Sequence, residues 1–304
     1  MEERIVLTRE QIVAFQDQGF LALPQISPPH EVEALGPLFS TLFAKKAGRG
    51  EGAHYDLVGP DDDHAAARLP SISNPVNFAP ALRNLEYRRN AYAIARQLLG
   101  PQVTPAFEHA ILKPPWEGAA TPWHQDEAYR VDPTFDYKQI SFWMPLAAAN
   151  LDNGCMHYIP RSHRGPVLPH RSFMDDPRVH AIECVGDFSI EQAQACPLPA
   201  GGAVIHDGRT LHYAGPNRTA VPRCAYILAF ELPPKALAEP RDFHWNRLRQ
   251  PPNQRRRSAW RRRGGILIEA LRKLRLGMLN SPQRILFEAR RGLRALGDFV
   301  SLKR

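Results

Sequence analysis

The sequence lacks features that mark several large classes of protein. Its four cysteines (Cys155, Cys184, Cys196 and Cys224) include no CxxC pair, so neither a disulfide framework nor a thiolate metal site is indicated. No apolar run reaches the roughly 18 residues of a membrane span, and the longest, around 140–151, is interrupted by polar and proline residues. The initial MEERIVLTREQ has no apolar signal-peptide core. We therefore expect a cytoplasmic chain with free thiols.

The charge is distributed unevenly along the 304 residues. Residues 241–304 contain 18 basic and 4 acidic residues, whereas residues 1–240 contain 21 basic and 27 acidic residues. A mildly acidic body of net charge −6 therefore precedes a basic segment of net charge +14. The overall composition, 43% hydrophobic and 23% charged, is that of an ordinary globular protein and excludes wholesale disorder. The high isoelectric point of the chain therefore results from the basic C-terminal segment and not from the body.

The first hundred residues predict helices. Thr8 begins a capping-box pattern and Gly19 is a stop signal, which together delimit a first helix. Apolar residues at helical spacing predict two more helices, over 30–43 and 82–99.

Short β-rich runs separated by proline, glycine and asparagine follow from residue 103. They predict strands near 105–113, 120–126, 138–146, 155–160, 203–206, 210–214 and 223–232. The intervening 161–200 reads as irregular. Many short strands with turn signals are typical of a double-sheet barrel or sandwich. The predicted organisation is a mainly β domain with flanking helices over residues 1–240 and a helical extension over 241–304.

The extension is rich in arginine and predicts two amphipathic helices. The stripe of the first is Leu267, Leu271, Leu274 and Met278, and the second begins after Ser281 and Pro282. Three interpretations remain open. Residues 255–304 lie on an anionic membrane surface, as a peripheral contact of a cytoplasmic protein, or contact nucleic acid, or form a helical hairpin packed on the body. The few aromatics among the arginines disfavour the nucleic-acid interpretation.

One group of residues has the spacing of a metal site. His124 and Asp126 alternate along an extended segment, so both side chains point to one side of it. His212 lies 86 residues later in another predicted strand. Two imidazoles and one carboxylate on a single face leave coordination positions open, as in non-haem Fe(II) oxygenases. The His-x-Asp pattern is common by chance, and the alternative for His124 is a hydrogen-bonded loop histidine.

Arg223 strengthens the metal interpretation. It lies 11 residues after His212, beyond a Gly-Pro-Asn turn, and begins an apolar strand. A buried guanidinium needs an anion, and a carboxylate that accepts two hydrogen bonds is its natural partner. The 5-carboxylate of 2-oxoglutarate fits this requirement, and an internal ion pair is the alternative. His206 also lies near, but its spacing to Arg223 favours a structural or outer role.

These motifs resemble those of the phytanoyl-CoA dioxygenase family of Fe(II)/2-oxoglutarate-dependent oxygenases. The similar segments, which extend over residues 5–235, are Ile111–Pro115, Trp123–Asp126, Trp143, Asn153–His163, His212–Gly215, Asn217 and Arg223. The resemblance implies a double-stranded β-helix, or jelly roll, and an enzyme that uses Fe(II) with 2-oxoglutarate and O2 as cosubstrates. It implies His124, Asp126 and His212 as iron ligands and Arg223 as the 2-oxoglutarate anchor.

The resemblance also implies a cosubstrate pocket lined by Gln125, Trp143 and His109. Family members often have serine or threonine where this chain has Ala214, so one hydrogen bond to 2-oxoglutarate is expected to be missing. Related halogenases have a small residue in place of Asp126, and its carboxylate therefore favours hydroxylation.

Three residues next to the predicted site are candidates for substrate contact. They are Glu127 and Tyr129, just beyond the metal-binding strand, and Arg161 at the predicted pocket rim. We expect the substrate to be a small organic or lipid-like molecule. The alternatives are a non-catalytic jelly-roll binding module and a membrane-associated scaffold that acts through the basic extension.

Overall fold

The structure is a computed structural model and describes residues 5–116 and 119–275. Its helices are α1 Arg9–Gln18, α2 Pro29–Ala44, α3 Glu86–Leu99, α4 Trp245–Leu248, α5 Pro252–Trp260 and α6 Ile266–Arg275. The predicted capping box of α1 is present, since the Thr8 hydroxyl accepts the Gln11 N–H and the Gln11 side chain accepts the Thr8 N–H. Gly19 ends α1 with φ of 85°, a conformation that favours glycine.

The strands are short and follow one another closely. They are β1 Phe20–Leu23, β2 His54–Asp56, β3 Pro70–Ser73, β4 Thr104–Lys113, β5 Thr121–His124, β6 Phe135–Asp136, β7 Gln139–Pro145, β8 Met156–Tyr158, β9 His170–Ser172, β10 Ile182–Cys184, β11 Gln194–Cys196, β12 Ala203–Asp207, β13 His212–Ala214, β14 Arg223–Glu231 and β15 Lys235–Ala236. Each predicted strand overlaps an observed one. The segment 161–200 is not wholly irregular, because it contains β9 to β11, whose three-residue runs are too short for an alternating pattern.

Two antiparallel sheets form the body. The larger has the strand order β1-β12-β7-β14-β4-β3-β2, and the smaller has the order β11-β8-β13-β5. Buried residues of both sheets, such as Trp143 and Ile227 from the larger and Met156 and Tyr158 from the smaller, pack in one cluster. The two sheets therefore face each other across a shared interior.

A second hydrophobic cluster lies on the outer face of the larger sheet. Phe39 of α2 and Ile94 of α3 pack there with Phe142, Tyr226 and Leu228 of the central strands. Successive residues of β7 and β14 thus alternate between the helix layer and the space between the sheets. The helices support the sheet from outside, and its inner face remains available for a site.

The segment 252–275, which we call the cap, packs on the body. It comprises α5, a helical turn at Arg261–Gly265 and α6. Arg256 is ion-paired with Asp61, and Arg272 donates to Glu51 at 2.6 Å. The stripe predicted for the first amphipathic helix falls partly on α6, whereas Met278 and the second predicted helix lie outside the described residues. Within the described ranges, no helix has the length and hydrophobicity to cross a membrane.

Candidate active site

The sheet register brings the three predicted metal ligands together. His124 ends β5 and is the Cα partner of His212, which begins β13. Asp126 lies in the short turn that follows β5, with Oδ1 at 3.7 Å from His124 Nε2 and 3.6 Å from His212 Nε2. One ligand atom of each residue lies within 4.8 Å of the other two. The three donors can therefore reach one common ion.

Backbone hydrogen bonds orient both imidazoles. His124 Nδ1 lies 2.8 Å from the Pro122 carbonyl oxygen, and His212 Nδ1 lies 2.8 Å from that of Thr210. Each Nδ1 must therefore carry the proton, which leaves the Nε2 lone pair directed towards Asp126. Burial, together with the nearby imidazoles of His124 and His206, lowers the pKa of His212 well below its usual value. The histidine is thus neutral and ready to bind a metal.

Two neighbours hold the carboxylate of Asp126. Ser141 Oγ donates to Oδ2 at 2.8 Å, and His206 Nε2 lies 3.2 Å from the same atom. Tyr158 hydroxyl lies 3.1 Å from His206 Nδ1 and completes a chain of polar contacts. Burial raises the pKa of Asp126, but the contacts with the surrounding histidines outweigh burial and place the pKa well below its usual value. His206 thus acts outside the triad, as its spacing indicated.

A cavity of about 450 Å³ opens from the three residues towards the cap. Phe107, His109 and Ile111, which alternate along β4, contribute one wall, and Trp143 of β7 lies beside them. Burial lowers the pKa of His109 to about 4, so this side chain is neutral. The structure therefore places His109 and Trp143 on the cavity, where the resemblance expected them.

Arg223 lies at the closed end of the same cavity. Its side chain is 2% exposed and its Cζ lies 5.0 Å from the Trp143 ring centroid. Nε donates to the Asn153 carbonyl at 3.4 Å and Nη2 to that of Gly154 at 3.2 Å, whereas Nη1 is buried without a partner. No carboxylate of the described residues pairs with it. The internal ion pair that was the alternative for Arg223 is therefore absent from the part of the chain that the structure covers.

A hydroxyl that sequence reasoning missed faces this end of the cavity. Thr121 of β5 is the Cα partner of Ala214 on β13, and both line the cavity. The fold therefore places the hydroxyl of Thr121 on the strand beside Ala214, the position at which the resemblance implies a missing hydrogen bond. Strand pairing is the only signal that could have found Thr121, since nothing in the sequence relates the two positions.

Gln125 lies outside the cavity that it was predicted to line. Its side chain donates to the carbonyls of Pro166 and Arg209 and accepts the Leu168 N–H, and it does not line the cavity. The reason is the alternation of side chains in an extended chain: because His124 and Asp126 face the cavity, the residue between them faces away. Gln125 instead ties β5 to the loop before β9.

Two of the three substrate candidates lie away from the cavity. Glu127 is buried in ion pairs with Arg209 and Arg241, and Arg161 pairs with Asp17 at the surface. Neither lines the cavity. The turn that follows β5 rotates Glu127 away from the triad, which spacing alone does not show.

The third candidate, Tyr129, does line the cavity. Its hydroxyl accepts the Ile182 N–H at 3.1 Å. Its ring packs edge-on against that of His124, with the centroids 5.8 Å apart. Tyr129 therefore remains placed for substrate contact.

The comparisons with known proteins agree with this geometry. The family model of phytanoyl-CoA dioxygenase (PhyH) matches residues 15–225. The crystal structure of EvdO2 from Micromonospora carbonacea var. aurantiaca is 38% identical and aligns with a TM-score of 0.69 over 81% of this chain and 99% of that one. A structure of the same protein with 2-oxoglutarate aligns with a TM-score of 0.68. The predicted jelly-roll fold is thereby confirmed.

Curated relatives are more distant. A probable alpha-ketoglutarate-dependent hypophosphite dioxygenase from Stutzerimonas stutzeri is 27% identical over 53% of this chain and 57% of its own length. Ectoine dioxygenase from Halomonas elongata is 24% identical over 77% of this chain and 73% of its own length. The set of two imidazoles and one carboxylate suits Fe(II) and leaves positions open for cosubstrates. This chain belongs to the phytanoyl-CoA dioxygenase family and is a dioxygenase that depends on Fe(II) and 2-oxoglutarate.

Proposed function

We propose that this enzyme hydroxylates an unactivated C–H bond of a small organic molecule. In this proposal His124, Asp126 and His212 bind Fe(II), and Arg223 binds the 5-carboxylate of 2-oxoglutarate. The observation that carries it is the unpartnered Nη1 of Arg223 at the closed end of the cavity that begins at the triad. A buried cation of this kind requires an anion, and a keto diacid anchored there extends towards the triad.

Once bound, iron and 2-oxoglutarate would supply the oxidation, in which substrate C–H, O2 and 2-oxoglutarate give C–OH, succinate and CO2. The protein's own residues hold this chemistry in place. Asp126 occupies the third ligand position, which favours hydroxylation over halogenation. Trp143 and Ile111 surround the cosubstrate space with apolar surface, and this excludes water from the reacting groups.

The outer part of the cavity is the place for the substrate. Tyr129, Asn74, Asn77 and Phe78 line it beyond the triad, and Asn77 Oδ1 is a buried acceptor without a partner. Polar groups at fixed positions among aromatic rings are typical of a site for a small molecule with hydrogen-bonding groups. The lining therefore favours such a molecule over a purely aliphatic lipid chain. Two relatives are named for different substrates, hypophosphite and ectoine. The substrate of this enzyme is therefore to be identified by the experiment that follows.

Turnover of the cosubstrate tests the proposal directly. The purified full chain is loaded with Fe(II) and supplied with 2-oxoglutarate, ascorbate and O2, and succinate is measured with and without a library of small polar and acyl-thioester compounds. We expect slow succinate release without substrate and a substrate-dependent rise. Absence of both, in protein that has bound one iron per chain, contradicts the proposal.

The cap supports a second role, contact with an anionic membrane surface. Helix α6 places Glu269, Arg272 and Lys273 on the cavity, whereas Leu267, Leu271 and Leu274 are 73%, 57% and 62% exposed on the opposite side of the helix. Exposed Arg262, Arg263 and Arg275 flank these leucines. An apolar stripe between basic side chains is typical of a helix that lies in a lipid interface. The membrane would then lie against the cap, close to the cavity mouth.

Vesicle binding separates this role from a protein contact. The full chain and a variant with Leu267→Ser, Leu271→Ser and Leu274→Ser are sedimented with vesicles containing phosphatidylserine. We expect wild type alone to sediment, because only wild type has the apolar stripe, and we expect the variant to fold because the three side chains are largely exposed. Equal behaviour of both proteins, or a dimer that the variant abolishes without vesicles, contradicts the membrane role.

A further inference from the structure

The cap brings an excess of basic side chains to the mouth of the cavity. Of the charged cap residues that line the cavity, Arg257, Arg272 and Lys273 are basic and Glu269 is acidic. Arg272 donates to Glu51, a carboxylate of the body that also lines the mouth. Three basic groups therefore face two acidic groups there.

The carboxylate of Glu269 is shared among several cations of the cap. Its Oε1 accepts from Arg257 Nη2 at 2.7 Å, and its Oε2 lies 3.3 Å from Arg261 Nε. Lys273 Nζ lies 3.8 Å from Oε1. Burial raises the pKa of Glu269, but the charges of Arg257, Lys273 and Arg261 outweigh burial and lower it. The carboxylate is therefore ionised, and its single negative charge cannot balance the two guanidinium groups that share it.

Close packing fixes this group of charges beside the cavity. A Cβ added to Gly52, which lines the cavity, would lie 2.2 Å from the Asn253 carbonyl oxygen and 2.8 Å from the Arg257 backbone nitrogen. Helix α5 thus packs directly on the backbone of the turn that precedes β2. Gly52 has φ of 72°, a conformation that favours glycine, and its missing side chain permits the close approach. The side chain of Arg257 therefore begins at a fixed place on the mouth.

The basic mouth is a feature of this chain's C-terminal segment. The family model matches residues 15–225, and the cap, residues 252–275, lies beyond them. The rings of Phe78 and Trp260 line the same part of the cavity. A cleft with apolar walls and an excess of one sign of charge concentrates ligands of the opposite sign. The cap therefore gives the jelly-roll cavity a preference for anions.

We propose that the substrate is a soluble organic anion whose phosphate or carboxylate group binds Arg257 and Lys273 at the mouth, while the C–H bond to be oxidised lies at the triad. The inference rests on the proposed function and names the chemical class of its substrate. The cavity of about 450 Å³ has room for a molecule that extends between the two places. Arg272 is not part of this anion site, because Glu51 already pairs with it.

A thiol placed at the mouth measures the preference for anions. Asn77→Cys introduces the thiol on the cavity next to Phe78, whose ring centroid lies 5.6 Å from Arg272 Cζ. The full chain with Fe(II) and 2-oxoglutarate is alkylated without O2 by iodoacetate or by iodoacetamide, which share the reactive carbon and differ in charge. Mass spectrometry of the peptide that contains position 77 gives both rates, each divided by the rate for free glutathione.

Matched variants in this background separate charge from structure. Arg257→Gln and Lys273→Gln each remove a positive charge, and Glu269→Gln removes the negative charge of the same cluster. We expect the ratio of the iodoacetate rate to the iodoacetamide rate to fall about three-fold in the first two and to rise about three-fold in the third, since each changes one nearby charge. Arg178→Gln, a surface arginine paired with Asp176, is the control and should leave the ratio unchanged.

The opposite signs are the decisive feature. All three variants break a contact of Glu269, so a merely structural role of these contacts predicts changes of the same sign in all three.

Glycerol 3-phosphate is the probe for binding itself, and glycerol is its neutral match. We expect glycerol 3-phosphate, and not glycerol, to slow the reaction of position 77 with neutral iodoacetamide. The concentration that halves the rate should rise about three-fold in Arg257→Gln, because one of the two proposed cations is lost. Vesicles containing phosphatidylserine distinguish a lipid headgroup from a soluble anion: Arg257→Gln should sediment with them to the same extent as wild type.

The contrary outcomes are distinct. Unchanged ratios, changes of the same sign in Arg257→Gln and Glu269→Gln, or no protection by glycerol 3-phosphate overturn the inference. Reduced sedimentation of Arg257→Gln also overturns it, because the cation would then serve a membrane contact. These measurements do not involve turnover, so failure of the proposed function is recognised separately, by the absence of succinate release from wild type.

Discussion

The arginine at the closed end of the cavity and the arginine at its mouth differ in whether a carboxylate of the fold pairs with them. At the closed end, Arg223 is 2% exposed and pairs with no carboxylate of the described chain. At the mouth, Arg272 lies near the rings of Phe78 and Trp260, with centroid distances of 5.6 and 5.7 Å, and donates to Glu51 at 2.6 Å. Both arginines contact aromatic rings and both line the cavity. Among the residues that the structure describes, only the mouth arginine has a carboxylate partner.

This difference separates structural charges from ligand-binding ones. An arginine whose carboxylate partner belongs to the fold contributes to packing and gains little from a ligand. An arginine buried against neutral carbonyls is unfavourable until an anion arrives, and the binding of that anion recovers the cost. We therefore propose that the ion pairs of the cap stabilise the mouth, and that Arg223 at the closed end binds the cosubstrate.

The largest effect is expected at the triad. Asp126→Ala removes the only carboxylate of the metal site, and succinate release should fall by more than about 100-fold, beyond what loss of an outer contact causes. Asp136→Asn is the control, because this carboxylate pairs with Arg209 away from the cavity. Substantial turnover by Asp126→Ala would exclude this residue as a ligand.

The two arginines provide the next test. Arg223→Met should raise the Kd for 2-oxoglutarate about 100-fold, since a charge-assisted hydrogen bond contributes about 1.5–3 kcal/mol. Arg272→Met, the matched change at the mouth, should leave that Kd within about two-fold, because Glu51 and not a ligand is its partner. Anaerobic titration of the Fe(II) protein measures both. Similar losses of 2-oxoglutarate affinity in the two variants would contradict the proposed difference between the closed end and the mouth.

A smaller effect is expected beside the metal. His206→Gln alters the contact with Asp126 Oδ2, which Ser141 also donates to. We expect the Kd for Fe(II) to rise about ten-fold, the lower range for loss of a group that orients a metal ligand. Metal titration with a competing chelator measures it. An unchanged Kd would show that Ser141 alone positions the carboxylate.

The smallest effect is expected for the ion pair of the mouth. Glu51→Gln weakens its pairing with Arg272, both side chains being partly exposed at 27% and 22%. Pairs of this kind contribute about 1 kcal/mol or less, so thermal unfolding should shift by only about 1–3 °C. The Kd for 2-oxoglutarate should not change. A large loss of cosubstrate affinity would instead make the cap part of the cosubstrate site.

The sequence predicted the centre of the site better than its surroundings. His124 and Asp126 are recognisable because two-residue spacing in an extended chain puts their side chains on one face. The same rule places Gln125 on the opposite face, and the prediction that it lines the pocket neglected this. Glu127, which was expected to contact substrate, is ion-paired with Arg209 and Arg241. These partners are distant in sequence, so only folding shows that the carboxylate is already paired.

By itself, the sequence determined the candidate ligand residues, the positions of the main strands along the chain and the amphipathic pattern of α6, because each depends on local spacing or on residue chemistry. Tertiary structure decided which charges are compensated. The difference in charge compensation between Arg223 and Arg272 arises only when folding surrounds the first with backbone carbonyls and places Glu51 beside the second. Whether a charge is compensated depends on the residues that lie next to it in three dimensions, so only the folded structure decides it.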